Sequence, residues 1–365
     1  MASEAENRKS FAIQAGYCAA MDAPITARIC TALGQGITRN SETGRRVLDW
    51  PGEPVADALV LRLVGGLHAL HRRGVPELRR IFTGEETDIG RIGAALDAVL
   101  CAYDLPLMPW LYGPPQTNEA GRSAGLMTGL LHLARRFGPR FDLLEIGSSG
   151  GLNLMIGRYR FDLGGVAPGP VESPVTIRPE WRGPPPPDAA VEIVSARGVD
   201  IAPLDLTDPR DAARLEAYCW VDAVERQARL AATIAMLQAE PVALERGDAA
   251  HWLEARLAEP QPDGVTRVLM HSVVWQYLPE AAQRRITAAM DAAGEAATPA
   301  RPLGWVMMEP NRDLNRHEVR VRGWPGETPM ELVALTHAHG AWVEGLAPPF
   351  AVHPYGMRPH PTRSD

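Results

Sequence analysis

Phe141-Asp142-Leu143-Leu144-Glu145-Ile146-Gly147-Ser148-Ser149-Gly150-Gly151-Leu152-Asn153 is the stretch at which the chain changes its period. Upstream, from Phe11 to about Arg136, apolar residues recur at helical spacing, as at Leu59, Leu63, Leu67 and Leu70. Phe141 to Ile146 instead form a short, mostly apolar run that ends in a cluster of glycine and serine. A continuous apolar run closed by small turn residues suits a strand buried on both faces, the habit of a parallel sheet.

Further strands are expected at Val191–Ser195, Pro241–Glu245, Arg267–His271 and Leu303–Met308. Helix-compatible stretches such as Ala212–Ala239 and Ala281–Ala293 separate them, and this alternation implies an α/β domain with a parallel sheet. Glu331–Leu335 and Ala341–Leu346 flank the turn Thr336–Gly340 and suit an antiparallel edge hairpin. Gly164–Asp188, with Pro184 to Pro187 in a row, is too rich in proline and glycine for helix; an inserted loop or small ribbon near 164–190 is expected. The resulting division is a helical N-terminal domain or cap over 1–136, broken at Asp49–Pro54 and Pro106–Pro115, and an α/β domain over 137–365. Gly121–Phe137 is one more helix leading into the sheet.

The 365 residues are 45% hydrophobic and 22% charged, which is a folded, soluble composition long enough for two domains. A formal charge of −7 offers no broad basic surface to a phosphate backbone, so no nucleic acid partner is expected. The local run Arg312, Arg316, Arg320 and Arg322 is interrupted by Asp313 and Glu318 and reads as a solvated face. Cys18, Cys30, Cys101 and Cys219 form no C-x-x-C pair and read as reduced, buried thiols. The opening residues lack a signal-peptide core and no apolar run of about 18 residues appears, so the expectation is a cytoplasmic protein with no membrane partner. His68 and His71 read as an incidental, partly exposed pair, His337 and His339 as a hairpin tip, and no metal is assigned.

Small residues between a buried strand and a helical segment let a ligand approach backbone N–H groups. The spacing of Glu145, Gly147, Ser149 and Gly151 resembles the E/D-x-G-x-G-x-G first motif of S-adenosylmethionine-dependent methyltransferases, with Ser149 at the middle glycine. That ligand requires a tight turn, a carboxylate near its cationic end and an acid for its ribose hydroxyls. Gly147, Gly151 and Glu145 meet the first two needs; Asp200, or its rival Asp162, meets the third. Asp248 either accepts from an adenine amino group or caps a helix, or does both. His271, opening the stretch to Tyr277, and Glu309 end the fourth and fifth strands, where parallel sheets bind ligands. Gln116, Asn118, Glu119 and Arg122 are substrate-orienting groups, or Thr117 or Asn118 is a helix cap. The same loop also spells G-x-S-x-G, a hydrolase elbow with Ser149 as nucleophile, Asp248 or Glu309 as acid and His337, His339 or His353 as base. Against that stand the helical character upstream and the lack of an H-G-G-G segment.

Several separated motifs carry a more specific resemblance. They are Gln116 to Glu119 with Gly121-Arg122, Leu144 to Leu154, Tyr159 to Asp162, Arg197 to Asp200 with Pro203 to Asp205, Gly247-Asp248, His271-Ser272 with Tyr277-Leu278, and Trp305 to Glu309. Over nearly its full length the chain resembles the bacterial family domain of unknown function twenty-three thirty-two. The resemblance implies a Rossmann-like class I methyltransferase sheet and marks Gln116 to Arg122, Glu145, Asn153, Asp200 and His271 as site elements.

The resulting expectation is a methyltransferase acting on a small-molecule substrate. S-adenosylmethionine would lie along Gly147, Ser149 and Gly151, with Glu145, Asn153, Asp200 and Asp248 around it. His271 is the candidate general base, and Gln116, Asn118, Glu119, Arg122, Tyr277 and Glu309 would face substrate beneath the helical domain. The alternatives are a nucleotide- or adenosylmethionine-binding module without methyl transfer, and a serine hydrolase using Ser149.

Overall fold

The computed structural model describes residues 2–347 apart from 114, 313, 315, 327 and 328; Asp313 and His353 therefore lie outside the described residues. In chain order its helices are α1 (Glu4–Ala20), α2 (Pro24–Gly36), α3 (Glu42–Leu48), α4 (Leu59–Arg72), α5 (Pro76–Phe82), α6 (Ile89–Ala102), α7 (Asp104–Leu107), α8 (Ser123–Phe137), α9 (Pro209–Ala217), α10 (Val224–Ala239), α11 (Ala249–Leu257) and α12 (Glu280–Glu295). Its strands are β1 (Arg140–Ile146), β2 (Arg160–Phe161), β3 (Thr176–Ile177), β4 (Glu180–Arg182), β5 (Glu192–Asp200), β6 (Ala243–Arg246), β7 (Thr266–Ser272), β8 (Leu303–Asn311), β9 (Arg316–Trp324), β10 (Glu331–Thr336) and β11 (Trp342–Gly345).

Two compact units divide the chain. The helical unit takes Met1–Ala120, Ser149–Leu152 and Ala202–Pro241, and the sheet unit takes the remainder. This differs from a break near 136: α8 belongs with the sheet, and α9 and α10, expected as crossover helices, belong with the helical unit. In that unit Leu59, Leu63, Leu67 and Leu70 are core, as their spacing indicates. α2 begins at Ala23, which has no capping oxygen, and Asp222 supplies one from far along the chain. Its carboxylate accepts from Ile25 N–H at 2.7 Å and Thr26 N–H at 2.9 Å. His68, expected to be partly exposed, is buried because α4 is apolar around most of its circumference. Its ring stacks on Phe82 and its Nδ1 lies 3.0 Å from Ala217 O. Cys18, Cys30 and Cys219 are buried, whereas Cys101 is exposed.

In the sheet unit the strand order is β4-β11-β10-β9-β8-β7-β1-β5-β6. The run β6-β5-β1-β7-β8 is parallel throughout. Numbered among themselves in chain order these strands read 3-2-1-4-5, the order of doubly wound sheets. β8 to β11 continue as an antiparallel meander, which includes the expected hairpin of β10 and β11, although β4 and not β11 is the edge strand. β9 was not expected. Its charges Arg316, Glu318, Arg320 and Arg322 occupy alternate positions, and so share one face, whereas Val319 and Val321 on the other face are buried. Glu318 is buried between Arg316 at 2.8 Å and Arg320 at 2.7 Å, whereas the arginines themselves stay partly exposed and Arg312 is exposed, so the run is a partly solvated face anchored on one buried carboxylate. The proline-rich insertion forms a ribbon of β2 and β3 and then adds β4 to the sheet, parallel to β11.

Both faces of the sheet are covered. α8 approaches closely because Gly125 and Gly129 fall on its inner side; a methyl at Gly129 would collide with Val306, and one at Gly125 would press on Val319. On the opposite face Leu144, Ile146, Leu269 and Trp305 pack with Trp252 and Leu253 of α11 and Ile286 and Met290 of α12. The result is a three-layer α/β arrangement. Among the described residues no single helix is long and apolar enough to cross a membrane.

Candidate functional site

Chain direction makes the carboxyl ends of β1 and β7 a switch point: from β1 the chain winds outward through β5 and β6, then returns to β7 and continues to β8. Open parallel sheets bind ligands at such points, because the two connections leave in opposite directions and expose the strand ends. Glu145 of β1, Asp200 of β5, His271 and Ser272 of β7 and Glu309 of β8 all occupy these ends.

The loop after β1 has left-handed backbone at alternate positions: φ is 67° at Gly147, 53° at Ser149 and 78° at Gly151. Ser149 thus adopts the conformation that the middle glycine of the motif would take, at a steric cost of about 1–2 kcal/mol. Gly147 is required twice over, since a side chain there would also strike Val274. Ser148 N–H donates to Val199 O at 3.1 Å, tying the turn to β5.

Within the helical unit the polar cluster holds the second half of the loop. Asn118 Oδ1 accepts from Leu152 N–H at 2.9 Å and so caps the short 3₁₀ turn Leu152–Arg158. Gln116 accepts from Ser149 Oγ and donates through Nε2 to Ala202 O at 2.8 Å. Glu119 is buried against Arg226 and, at 3.0 Å, Arg229. In the sheet unit, buried Arg122 donates from Nε to Ala338 O at 3.0 Å. These four side chains have firm structural partners.

Glu145 is 1% exposed. Its Oε1 accepts from Asn153 Nδ2 at 2.9 Å, whereas Oε2 is buried with no hydrogen-bond partner. Asn153 is itself fixed by Ser123 Oγ, which donates to its Oδ1 at 3.0 Å, and by a 3.3 Å contact from its Nδ2 to Ser272 Oγ. Burial pushes the Glu145 pKa up to about 7; the hydrogen bond from Asn153 opposes this, the Asp200 charge adds to it and Arg122 counters it. A buried carboxyl with one uncommitted oxygen is costly to maintain unless a ligand's donor or positive charge answers it.

A second carboxylate is built the same way. Glu309 Oε1 accepts from His271 Nδ1 at 2.7 Å and from Val274 N–H at 3.1 Å, and Oε2 is buried without a partner. Trp305 Nε1 donates to His271 Nε2 at 3.0 Å, and Trp275 stacks on the imidazole with centroids 5.2 Å apart. Val273 is left-handed at φ 55°, an uncommon state for a β-branched residue, and it turns the chain so that Val274 N–H meets Glu309. His271 was expected as a general base. Both its nitrogens are engaged, Nδ1 by Glu309 and Nε2 by Trp305.

Asp200 follows the register partner of Ile146, beside the loop, and its main chain accepts from Gly247 N–H at 3.0 Å. Asp162 pairs with Arg178 at 3.1 Å at the proline-rich insertion. Asp248 caps α11 through His251 N–H at 2.9 Å. Tyr277 is 71% exposed beyond the end of β7. His337 and His339 sit at the turn between β10 and β11. For a hydrolase, β1 is the first strand among the described residues, whereas that fold places several strands before its elbow. A surface hollow of about 610 Å³ lined by Gly294, Trp324 and Pro325 lies by the amino end of β8, which pairs with Trp324, and so away from these carboxylates.

Sequence reasoning assigned no role to Val273, Val274 or Trp275. The fold defines an α/β protein whose parallel strands reverse their winding between β1 and β7, with Glu145, Asp200 and Glu309 at the strand ends. The chain belongs to the family described as "Uncharacterized protein conserved in bacteria (DUF2332)", whose model matches residues 8–344. No curated protein and no solved structure matches it in the corresponding comparisons.

Proposed function

We propose that this protein is an S-adenosylmethionine-dependent methyltransferase of the class I type that acts on a small molecule. One observation carries the reading: left-handed turns at Gly147, Ser149 and Gly151 follow directly on Glu145, whose Oε2 is buried and unanswered. The loop conformation keeps side chains out of the ligand's approach, and a cationic ammonium would give Glu145 Oε2 its partner and hold the carboxyl ionised. Asp200, one residue beyond Val199, the register partner of Ile146, would accept from the ribose hydroxyls. When bound, adenosylmethionine supplies an activated methyl group; the chain's task is alignment and removal of the acceptor's proton.

Methyl-labelled S-adenosylmethionine incubated with the protein and the small-molecule fraction of a bacterial extract should transfer label, and Glu145→Gln should reduce transfer at least tenfold. Ligand binding without label transfer would favour a binding module. A hydrolase elbow also holds its serine in a strained turn, which gives that reading its one supporting observation at Ser149. Covalent fluorophosphonate labelling lost in Ser149→Ala would establish it in place of the methyltransferase.

A further inference from the structure

We propose that Glu309, through Oε2, takes the proton of the methyl acceptor, with His271 and Trp305 as its positioning residues; this rests on the methyltransferase reading of the site. The argument begins with a proton count. An indole N–H only donates, so Trp305 Nε1, 3.0 Å from His271 Nε2, requires that nitrogen to carry a lone pair. A neutral imidazole then bears its proton on Nδ1, which donates to Glu309 Oε1 at 2.7 Å. His271 is thus held by Trp305 in the tautomer that donates from Nδ1. Together with Val274 N–H, it commits Oε1 and leaves Oε2 as the only uncommitted acceptor of this group.

The neighbouring titratable groups do not replace it. Glu318, the register partner of Glu309 on β9, is committed to Arg316 and Arg320, and burial lowers the pKa of His317. An acceptor that brings an N–H or O–H satisfies Oε2, whereas a carboxylate acceptor would set like charges together. The acceptor class is therefore an amine or hydroxyl. As the acceptor atom bonds to the methyl carbon, the carbon–sulfur bond breaks with its electron pair passing to sulfur, and the acceptor's proton passes to Glu309 Oε2.

Nitrogen NMR of the ¹⁵N-histidine-labelled protein tests the positioning directly. The account expects His271 as the Nδ1–H tautomer, and expects Trp305→Phe to admit the Nε2–H tautomer as well. A wild-type His271 that is Nε2–H would overturn it. Glu309→Gln should lower label transfer more than 100-fold while S-adenosylhomocysteine affinity stays within threefold; transfer retained within threefold would equally overturn it. Failure of the underlying reading is distinguishable, because the wild type would then bind neither adenosylmethionine nor adenosylhomocysteine.

Discussion

Glu145 combines complete burial with an uncommitted oxygen, and this has a thermodynamic signature. Its pKa in the folded chain, about 7, lies above the ordinary 4.5, so between these values the native state binds the proton more tightly than the unfolded chain does. The sign follows: the protonated carboxyl's contribution is complete below pH 4.5 and is lost as pH rises through 7. Urea unfolding at pH 4 and pH 8 should therefore show a fall in stability that Glu145→Gln reduces by roughly 3 kcal/mol. Ser149→Gly is the companion test. It removes the bond to Gln116, worth about 0.5–1.5 kcal/mol, but relieves a left-handed serine worth about 1–2 kcal/mol. Stability within about 1 kcal/mol of wild type and retained adenosylhomocysteine binding are expected in thermal and calorimetric measurements. At this scale the sequence was informative where type and place coincide: Glu145, Asp200 and Glu309 were legible as acids at strand ends. The roles of His271 and Asn118 were not, because both depend on partners remote in sequence, Trp305 and Leu152.

At the scale of elements, β1 was readable because an apolar run closed by small residues has few alternatives, and the other parallel strands followed from alternation. β9 escaped because buried Glu318 and its arginine partners make an interior strand look solvated. α8 was readable as a helix, but its attachment to the sheet lies in Gly125 and Gly129, a signal that periodicity does not weigh. Gly129→Val would force a side chain against Val306 and Val321 and should cost about 1–3 kcal/mol, seen as a lowered urea midpoint with an unchanged slope. Asn118→Ala removes the hydrogen bond that caps the Leu152 N–H and should cost about 0.5–1.5 kcal/mol by the same measurement.

For the whole molecule, the chain leaves and re-enters each unit, so the sequence boundary near 136 captured composition but not connectivity. The short return Ser149–Leu152 and the long one Ala202–Pro241 both follow carboxyl ends of sheet strands, β1 and β5. Ligand binding at the switch point is the central claim. Isothermal titration of the full-length protein with S-adenosylhomocysteine, alongside Glu145→Gln, tests it most directly. The account predicts micromolar affinity, about −8 kcal/mol, weakened in the variant by about 1.5–3 kcal/mol through loss of a charge-assisted contact. Absence of binding by the wild type at millimolar ligand, for both adenosylhomocysteine and adenosylmethionine, would contradict it.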